Sequence, residues 1–346
     1  MHTIMTVVGA RPQFIKAAAV SRELRRRGDV REILVHTGQH ADANMSDAHF
    51  ADLRMPPPDH ELGISGGNHG DMTGRMLIAL EALMLATRPD RLVVYGDANS
   101  TLAGALAATK LGIPVAHVEA GLRSFDRRMP EEINRVLTDH LSQLLFCPTR
   151  TALRNLKAEG LSQGVHHTGD VMYDVLLSHL GRAREGSVLS RLALPEGGYS
   201  VATVHRAENT DDGGRLGRVL AFLQEQSRRR PVVMPLHPRT RQALTRAGLD
   251  PVGIRIVQPL AYLDMLQLTA GAAEIYTDSG GLQKEAYFLR KPCVTLREAT
   301  EWPETIAAGW NRLWTVPQYA PRREIADFGD GKAGRAICAL LLGASG

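Results

Sequence analysis

The sequence predicts an α/β protein of two domains, each built on a parallel β-sheet. Short apolar runs rich in Val and Ile alternate with segments of helical periodicity, which is the pattern of repeated strand–helix–strand units. The chain has 346 residues, of which 44% are hydrophobic and only 5% are aromatic. This length exceeds what one small core needs, and this composition suits helices packed on parallel strands better than it suits a β-sandwich.

Five strand signals define the first domain. Between the third and the fourth, residues 101–111 are rich in Ala and Leu, with Ser100 before them as a helix cap and Gly112 and Pro114 after them as a stop. Strand, helix and next strand are thus explicit in the sequence. The five strands are expected at residues 4–8, 33–36, 92–95, 115–118 and 144–147.

A polar, glycine-bearing stretch at residues 178–198 precedes the second domain. We therefore expect a first domain at residues 1–175 and a second at 195–325. A final helix within residues 330–346 has no strand after it, and we expect it to rejoin the first domain. The strands of the second domain are expected at residues 200–204, 232–236, 254–257, 274–276 and 292–296.

The composition argues against several classes of protein. The cysteines Cys147, Cys293 and Cys338 are far apart and have no histidine cluster beside them, so neither a disulfide framework nor a zinc site is indicated. No apolar run reaches the roughly 20 residues of a membrane span, and we expect a cytoplasmic protein. The net charge of +4 is spread over Arg-rich helices, without the basic stripe and interleaved aromatics of a nucleic-acid surface. A small anionic ligand such as a nucleotide fits this charge better.

Ligands of open parallel sheets bind beyond the carboxyl ends of the strands, so the site is sought in the loops that follow the strand signals. The first of these loops runs from Gly9 to Arg11, with Pro12 in the first helical turn and Lys16 one turn later. Its exposed amides and two cations predict an anion site at a helix N-terminus. The alternative is a turn glycine followed by two solvated cations.

Three acidic positions follow in the first domain. Asp97 and Glu119 come at the ends of two consecutive strand signals, and Glu131 opens a later helix. Each has a structural alternative, as a helix cap or as a partner of the helix dipole. Their convergence on one sheet edge predicts an acid/base centre. The cations expected to face it are Arg11, Lys16, Arg123 and Arg135.

The second domain carries a nucleotide-like signal. His205 and His237 follow two successive strands, where at least one is expected to touch a phosphate or a moving proton. Ser279, Gly280 and Gly281 join a strand to an amphipathic helix that carries Glu285. A glycine pair lets a diphosphate approach the backbone at a helix N-terminus, and Glu285 lies where it would accept hydrogen bonds from a ribose. The alternative is a glycine turn with a capping serine.

Six motifs, in order and spread over residues 4–316, resemble those of the non-hydrolysing UDP-N-acetylglucosamine 2-epimerases. They are Gly9-x-Arg11-Pro12-x-x-Ile15-Lys16, Gly96-Asp97, His117-Val118-Glu119-Ala120-Gly121-Leu122-Arg123, Pro130-Glu131-Glu132-x-Asn134-Arg135, His205-Arg206 and Thr277-Asp278-Ser279-Gly280-Gly281-x-Gln283-x-Glu285-Ala286.

The resemblance implies two Rossmann-like domains in a GT-B-like arrangement, with UDP in the cleft between them, and a homodimer. It implies that the diphosphate contacts come from Arg11, His205, Ser279 and Gly280, and the ribose contact from Glu285. It implies Asp97, Glu119 and Glu131 as the catalytic acids, with His205 at the same centre. Lys16, Arg135 and His237 complete the polar lining. No metal and no cofactor are expected.

The implied reaction interconverts UDP-GlcNAc and UDP-ManNAc. The C2 proton is lost, UDP departs by anti elimination to leave a glycal, and UDP adds back with protonation on the opposite face. Acids and cations serve this chemistry without an external electron carrier. An alternative of another class is a GT-B glycosyltransferase, which shares the fold and the nucleotide motif but does not need three acids. A non-enzymatic nucleotide-sugar sensor is a third reading.

Two departures favour a different sugar. The loop between Arg123 and Pro130 is shorter than expected of the UDP-GlcNAc enzymes. The strings Gly9-Ala10-Arg11-Pro12-Gln13-Phe14-Ile15-Lys16 and Glu301-Trp302-Pro303-Glu304 are closer to the subgroup acting on UDP-2,3-diacetamido-2,3-dideoxy-glucuronic acid. Bacterial UDP-GlcNAc enzymes also use a Gln-His-x-Gln or Gln-His-x-Glu stretch in an allosteric site. Here Gln39-His40-Ala41-Asp42 matches it in part, with Arg75, Arg206 and His237 as candidate contributors.

Overall fold

A computed structural model describes residues 1–39 and 52–343 of the protein. The chain divides into two compact units. The first unit comprises Met1–Leu177 together with Ala326–Gly346, and the second unit comprises Ser178–Ile325.

The first unit is built on a parallel sheet whose described strands run in the order β3-β2-β1-β4-β5-β6-β7. The five predicted strands are confirmed, and their central residues are buried, which explains why the sequence shows continuous apolar runs. The edge strands β3 and β7 were not predicted from the sequence. The strands are β1 (His2–Val8), β2 (Val30–His36), β3 (His60–Glu61), β4 (Arg91–Tyr95), β5 (Val115–Val118), β6 (Leu144–Cys147) and β7 (Val165–His167).

The second unit holds a six-stranded parallel sheet with the order β10-β9-β8-β11-β12-β13. Its five predicted strands are also confirmed, and the edge strand β13 is added. In both units the strand order changes direction next to the first strand of the unit. The loops that leave the strands on the two sides of this point run in opposite directions. The strands are β8 (Ser200–Thr203), β9 (Val232–Pro235), β10 (Ile254–Val257), β11 (Glu274–Thr277), β12 (Cys293–Thr295) and β13 (Asn311–Leu313).

Helices connect the strands, as the alternating pattern predicts. In chain order, the described ones are α1 (Arg11–Arg25), α2 (His69–Thr87), α3 (Asn99–Lys110), α4 (Pro130–Leu141), α5 (Arg150–Ala158), α6 (Val171–Arg184), α7 (Val188–Arg191), α8 (Ala207–Thr210), α9 (Gly213–Ser227), α10 (Pro238–Ala247), α11 (Tyr262–Gly271), α12 (Gly280–Phe288), α13 (Pro303–Ala307) and α14 (Ala333–Leu341). None of these helices is both long and apolar enough to cross a bilayer.

The stretch at residues 178–198, described from the sequence as polar and glycine-bearing, is about half helical. It contains the end of α6 and all of α7. Val188 is buried, and its amide donates to the Gln267 side chain at 2.9 Å. Val188 belongs to a buried apolar cluster that includes Leu268 of α11, and the partly buried Leu189, Leu192 and Leu194 pack against it. These apolar contacts anchor the stretch to α11.

The last helix, α14, packs against α1 in the first unit. A Cβ atom at Gly334 would lie 2.8 Å from the carbonyl oxygen of Ala19, so only glycine allows this approach. Asp174 is far from α14 in the sequence but caps it directly. Its carboxylate accepts from the amides of Ala333 at 3.1 Å and Gly334 at 2.8 Å. Burial raises the pKa of Asp174 from 3.8 to about 6, although the two amides oppose the shift.

This raised pKa predicts a pH-dependent cap. A carboxyl group whose pKa is higher in the folded state stabilises the fold below its ordinary pKa of 3.8, and this contribution is lost as the pH rises through about 6. Asp174→Asn does not titrate. The unfolding free energy of the wild type, relative to Asp174→Asn, should therefore fall by about 1 to 3 kcal/mol between pH ~4 and pH ~7 in urea titrations.

Asp212→Asn is the matched control. Asp212 also accepts two amides at the start of a helix, from Gly214 at 2.8 Å and Arg215 at 3.1 Å, but in an exposed position. An equal pH slope for both variants would contradict the role assigned to burial at Asp174.

Candidate functional site

The turn from β1 to α1 is closed by a side chain of the helix itself. Gln13 Oε1 accepts from the amides of Gly9 at 2.8 Å and Ala10 at 2.9 Å. Gln13 Nε2 donates to the carbonyl of Tyr95 at 3.0 Å and to Thr101 Oγ1 at 2.8 Å. The prediction that these amides are open to an anion is therefore wrong for Gly9 and Ala10. Gln13 instead ties the ends of β1 and β4 together.

Lys16 is turned inwards from α1 and forms an ion pair with Glu119, which follows β5. Both side chains are only 8% exposed, so Lys16 is not a solvated surface cation. Gly96, with a φ of +62°, makes room for the pair, because a Cβ there would lie 2.8 Å from Lys16 Nζ. A buried charge needs such a partner. Helix α1, which follows β1, and the turns that follow β4 and β5 thus meet at one Lys–Glu pair.

The backbone of Glu119 is strained. Its φ is +72°, a left-handed conformation that non-glycine residues adopt at a cost of about 1 kcal/mol or more. Its amide and that of Ala120 both donate to the carbonyl of Phe146 at 3.1 Å, which holds the strained turn against β6. Strain held in this way at a strand end is typical of functional carboxylates.

Asp97 is held by the helix α4. Arg135 donates to Asp97 Oδ2 from Nε at 2.9 Å and from Nη2 at 2.7 Å. Asn134 donates to the main-chain carbonyl of Asp97 at 2.9 Å. The Asp97 side chain remains 30% exposed, while that of Arg135 is 3% exposed. The carboxylate is thus oriented by a buried cation and still open to a ligand.

The two glutamates at the start of α4 differ in role. Glu132 is buried and accepts from the amides of Ser124 and Phe125 at 2.9 Å each, and from Arg135 at 2.7 Å. It fixes the short loop before α4. Glu131 lies in the first helical turn and is partly exposed, as is Arg11 in the first turn of α1. Glu132 is therefore structural, and Glu131 is the member of the pair that is accessible.

Arg123 does not face the acidic centre, contrary to the prediction from the sequence. It is buried and donates to Asp139 at 2.7 Å, and its other edge pairs with Glu159 at 2.6 and 2.7 Å. A lone buried guanidinium takes the nearest carboxylates, and these come from α4 and from the end of α5 rather than from the strand ends. Of the four predicted cations, Lys16 and Arg135 pair with predicted acids.

In the second unit, a residue that sequence reasoning passed over organises the first turn. Asp278 is fully buried at the end of β11 and accepts from the amides of His205 at 2.9 Å and Arg206 at 2.9 Å. Asn209 also donates to it at 2.9 Å. This buried carboxylate fixes the turn after β8, so His205 is presented by a rigid backbone. The position of Asp278 directly before Ser279, at the end of a strand, was the one sequence signal that could have indicated this role.

His205 and His237 lie together, with ring centroids 5.4 Å apart. His237 caps α10, since its Nδ1 accepts from the amide of Arg239 at 3.1 Å. This bond assigns Nδ1 as the acceptor and leaves the proton on Nε2 in the neutral ring. The side chain of His205 is 34% exposed. The ends of β8 and β9 thus bring the two imidazoles together, which was not predicted from the sequence.

The N-terminus of α12 fits an anion. Ser279 caps the helix by accepting from the amide of Leu282 at 3.4 Å, and Gly281 follows in the first turn. A Cβ at Gly280 would lie 3.5 Å from Trp302 Nε1 and 3.8 Å from Arg206 Nη2. Indole and guanidinium donors thus flank a helix start whose dipole favours negative charge.

Glu285 lies in the second turn of α12 and is 8% exposed. Its neighbour Lys284 is fully buried, with its ammonium 3.9 Å from the ring centre of Trp302. Arg297, also buried, donates to both carboxylate oxygens of Glu301 at 2.8 and 3.0 Å. These cations were not predicted, because a charged residue within an apolar helix or strand end gives no periodic signal of its partner.

Two further expectations can be placed. Gln39 accepts from the amide of Ser100 at 3.0 Å and so caps α3, while residues 40–42 of the partial allosteric motif lie outside the described residues. Arg75 forms a helical ion pair with Asp71 at 2.7 Å. Within residues 1–39 and 52–343, no group of three or more His, Cys, Asp and Glu side chains is arranged to hold a metal ion.

The Gly96 turn generates a prediction. In Gly96→Ala the new methyl group meets the flexible end of Lys16, which yields easily, so the fold should lose only the backbone strain of about 1 to 2 kcal/mol. Lys16 should then be displaced from Glu119. Mass spectrometry after brief treatment with an acetylating reagent should show Lys16 protected in the wild type and modified in Gly96→Ala.

Gly112→Ala serves as the matched control, because Gly112 has a φ of +71° but no atom within 4 Å of a new Cβ. It should lose the same stability and keep Lys16 protected. Equal Lys16 modification in the two variants would contradict the steric role of Gly96.

Comparisons with known proteins agree with these features. The family model of UDP-N-acetylglucosamine 2-epimerase matches residues 22–342. A UDP-2,3-diacetamido-2,3-dideoxy-D-glucuronate 2-epimerase of Pseudomonas aeruginosa is 52% identical over 314 residues, covering 90% of this chain and 87% of that protein. A UDP-N-acetylglucosamine 2-epimerase of Methanococcus maripaludis is 41% identical, covering 99% of each.

The fold comparison agrees. The crystal structure of UDP-GlcNAc 2-epimerase from Methanocaldococcus jannaschii, in complex with UDP-GlcNAc and UDP, matches with a TM-score of 0.93 and 39% identity. The match covers 99% of this chain and 100% of that chain. The resemblance drawn from the six motifs is thereby confirmed. The chain belongs to the UDP-N-acetylglucosamine 2-epimerase family and is an isomerase.

Proposed function

We propose that the protein inverts C2 of a UDP-linked 2-acetamido sugar, and that this sugar is 2,3-diacetamido-2,3-dideoxy-glucuronic acid. The observation that carries the chemistry is the pairing of each strand-end acid with a buried cation, Glu119 with Lys16 and Asp97 with Arg135. Carboxylates held in this way serve proton transfer without an electron carrier.

The proton-transfer groups belong to the first unit. A carboxylate takes the proton from C2, the electron pair of that C–H bond forms the C1–C2 double bond, and the C1–O bond breaks with its pair leaving on UDP. Re-addition of UDP with protonation of C2 from the other face completes the inversion. We assign these two transfers to Asp97, Glu119 and Glu131. Asp97 and Glu131 are the members that remain partly exposed.

The nucleotide contacts belong largely to the second unit. Departing UDP gains negative charge on its diphosphate, and donors fixed in advance stabilise that charge best. The amides at the start of α12, with Ser279 and Gly280, supply such donors, and His205 adds an imidazole on a rigid turn. Arg11 extends the diphosphate contacts. Glu285 accepts from the ribose hydroxyls.

The choice of sugar rests on identity and on two local features. The identity to the Pseudomonas aeruginosa enzyme is 52%, against 41% for the UDP-N-acetylglucosamine enzyme of Methanococcus maripaludis. The short loop before α4 carries Phe125, which is 77% exposed beside residues fixed by Glu132. Trp302, from the subgroup string, lies against Gly280. UDP-GlcNAc is the second candidate, favoured by the 0.93 TM-score to an enzyme crystallised with it.

Parallel assays in heavy water test the proposal. The protein is incubated with the UDP-diacetamido uronic acid and with UDP-GlcNAc, and deuterium at C2 is measured by NMR. We expect deuterium in the epimerised uronic acid, with kcat/KM about 100-fold above that for UDP-GlcNAc, since a site built for polar groups rejects a sugar lacking them.

Deuteration of UDP-GlcNAc alone would decide for the second candidate. Protium retained at C2 in both sugars, with UDP bound, would contradict the epimerase chemistry altogether and favour glycosyl transfer.

The acids give a second prediction. Asp97→Asn and Glu131→Gln should each lower kcat by about 10² to 10⁴-fold, the usual contribution of a positioned acid or base. UDP affinity, measured by calorimetry, should persist because the nucleotide contacts are elsewhere in the sequence.

Asp29→Asn is the matched control, since Asp29 also accepts from both Nε and Nη2 of an arginine, Arg27, but in an exposed pair. Its kcat should stay within about twofold of the wild type. Full turnover in both Asp97→Asn and Glu131→Gln would contradict the catalytic roles assigned to these two carboxylates.

A further inference from the structure

His117, which the proposed chemistry does not use, lies in the middle of the site's framework. It is the third residue of β5, two positions before Glu119, and its side chain is fully buried. Its Nε2 lies 2.7 Å from the carbonyl oxygen of Gly96, and its Nδ1 lies 2.7 Å from Asp139 Oδ1. One ring therefore joins α4 to the turn that carries Asp97.

The acceptors decide the protonation of this ring. A carbonyl oxygen only accepts, so Nε2 must donate to Gly96. Asp139 Oδ2 already accepts from Arg123 at 2.7 Å and from the amide of Gly121 at 3.1 Å, which is the pattern of an ionised carboxylate. Burial opposes the ionisation of Asp139, but His117 and Arg123 together outweigh it and lower its pKa. Nδ1 must then donate as well.

The surrounding charges agree with two protons on the ring. The cluster holds two carboxylates, Asp139 and Glu159, and one guanidinium, Arg123, and His140 Nε2 lies 3.3 Å from Glu159 at its exposed side. A neutral His117 would leave a net negative charge in a largely buried cluster, whereas an imidazolium balances it. The nearby thiol of Cys147 stays uncharged, since burial raises its pKa, and Lys16 and Glu119 offset each other.

We propose that His117 is a positioning residue, a buried imidazolium held by Asp139 that fixes the Gly96 carbonyl and thereby the place of Asp97. Three anchors then hold one short turn. His117 holds the carbonyl of Gly96, Asn134 the carbonyl of Asp97, and Arg135 the carboxylate of Asp97. The effect on turnover rests on the proposed function, while the protonation state of His117 does not.

The protonation state is tested in the wild-type protein. Nitrogen-15 NMR of the histidine-labelled chain, at pH about 7.5, should show one ring with both nitrogens protonated, where an unperturbed histidine is mostly neutral. The chain has 13 histidines, and the loss of that signal in His117→Asn assigns it. A neutral imidazole at His117 would overturn the proposal whether or not any sugar is epimerised.

The positioning role is tested with Asp139→Asn. Without the carboxylate the ring should lose the charged acceptor at Nδ1, and the carbon-13 shift of the Gly96 carbonyl should move. On the substrate identified by the deuterium assay, kcat should fall about 100-fold, the cost of a misplacement near 1 Å, with KM within about threefold. A merely structural role would lower the stability of the variant without this separation of kcat from KM.

His167→Asn is the matched control. His167 ends β7 of the same sheet and also lies against a backbone carbonyl, that of Asp327 at 2.8 Å, but in an exposed position away from the acids. Its kcat should stay within about twofold. Wild-type kcat and an unmoved Gly96 carbonyl in Asp139→Asn would overturn the positioning role. Absence of epimerase activity in the wild type, with the Gly96 shift still moved, would refute the proposed function alone.

Discussion

The constraint on which the first unit depends is the cost of burying carboxylates where parallel strands end. Glu119 is only 8% exposed on a backbone with a φ of +72°, and it persists there because Lys16 meets it from α1. That meeting needs a side-chain-free residue at Gly96 and a closed turn before α1, which Gln13 supplies. Removing Lys16 would leave the buried carboxylate of Glu119 unpaired, a penalty of several kcal/mol.

The sequence was sufficient for the frame of this arrangement and for its acids. Strands buried on both faces appear as continuous apolar runs, so the central strands of both sheets could be read directly. The edge strands β3, β7 and β13 are two or three residues long and have no such run. Acids at strand ends, such as Asp97 and Glu119, could be singled out because parallel strands bring their ends to one edge.

Pairing could not be read in the same way. Arg123 follows Glu119 by four positions and was expected at the same centre, yet it pairs with Asp139 and Glu159. Gly121 lies between Glu119 and Arg123 and has a φ of +78°, so the chain changes direction after the strand and the Arg123 side chain leaves it on another side. Sequence spacing predicts which residues share an edge, but the direction of a side chain after a left-handed residue depends on the folded backbone.

Two classes of carboxylate therefore coexist on one hydrogen-bonded network, in which His117 joins Asp139 to the turn of Asp97, and they differ in exposure. Asp139 is fully buried with donors on both oxygens, so a change in its protonation would break several bonds at once. Asp97 is 30% exposed, with a buried arginine on one oxygen. A group that exchanges protons with a substrate must reach it and must tolerate both protonation states. The buried Asp139 can hold the turn in place, and the partly exposed Asp97 can exchange protons from that turn. The network from Glu159 to Gly96 thus supports the turn that carries Asp97, whose carboxylate stays partly exposed.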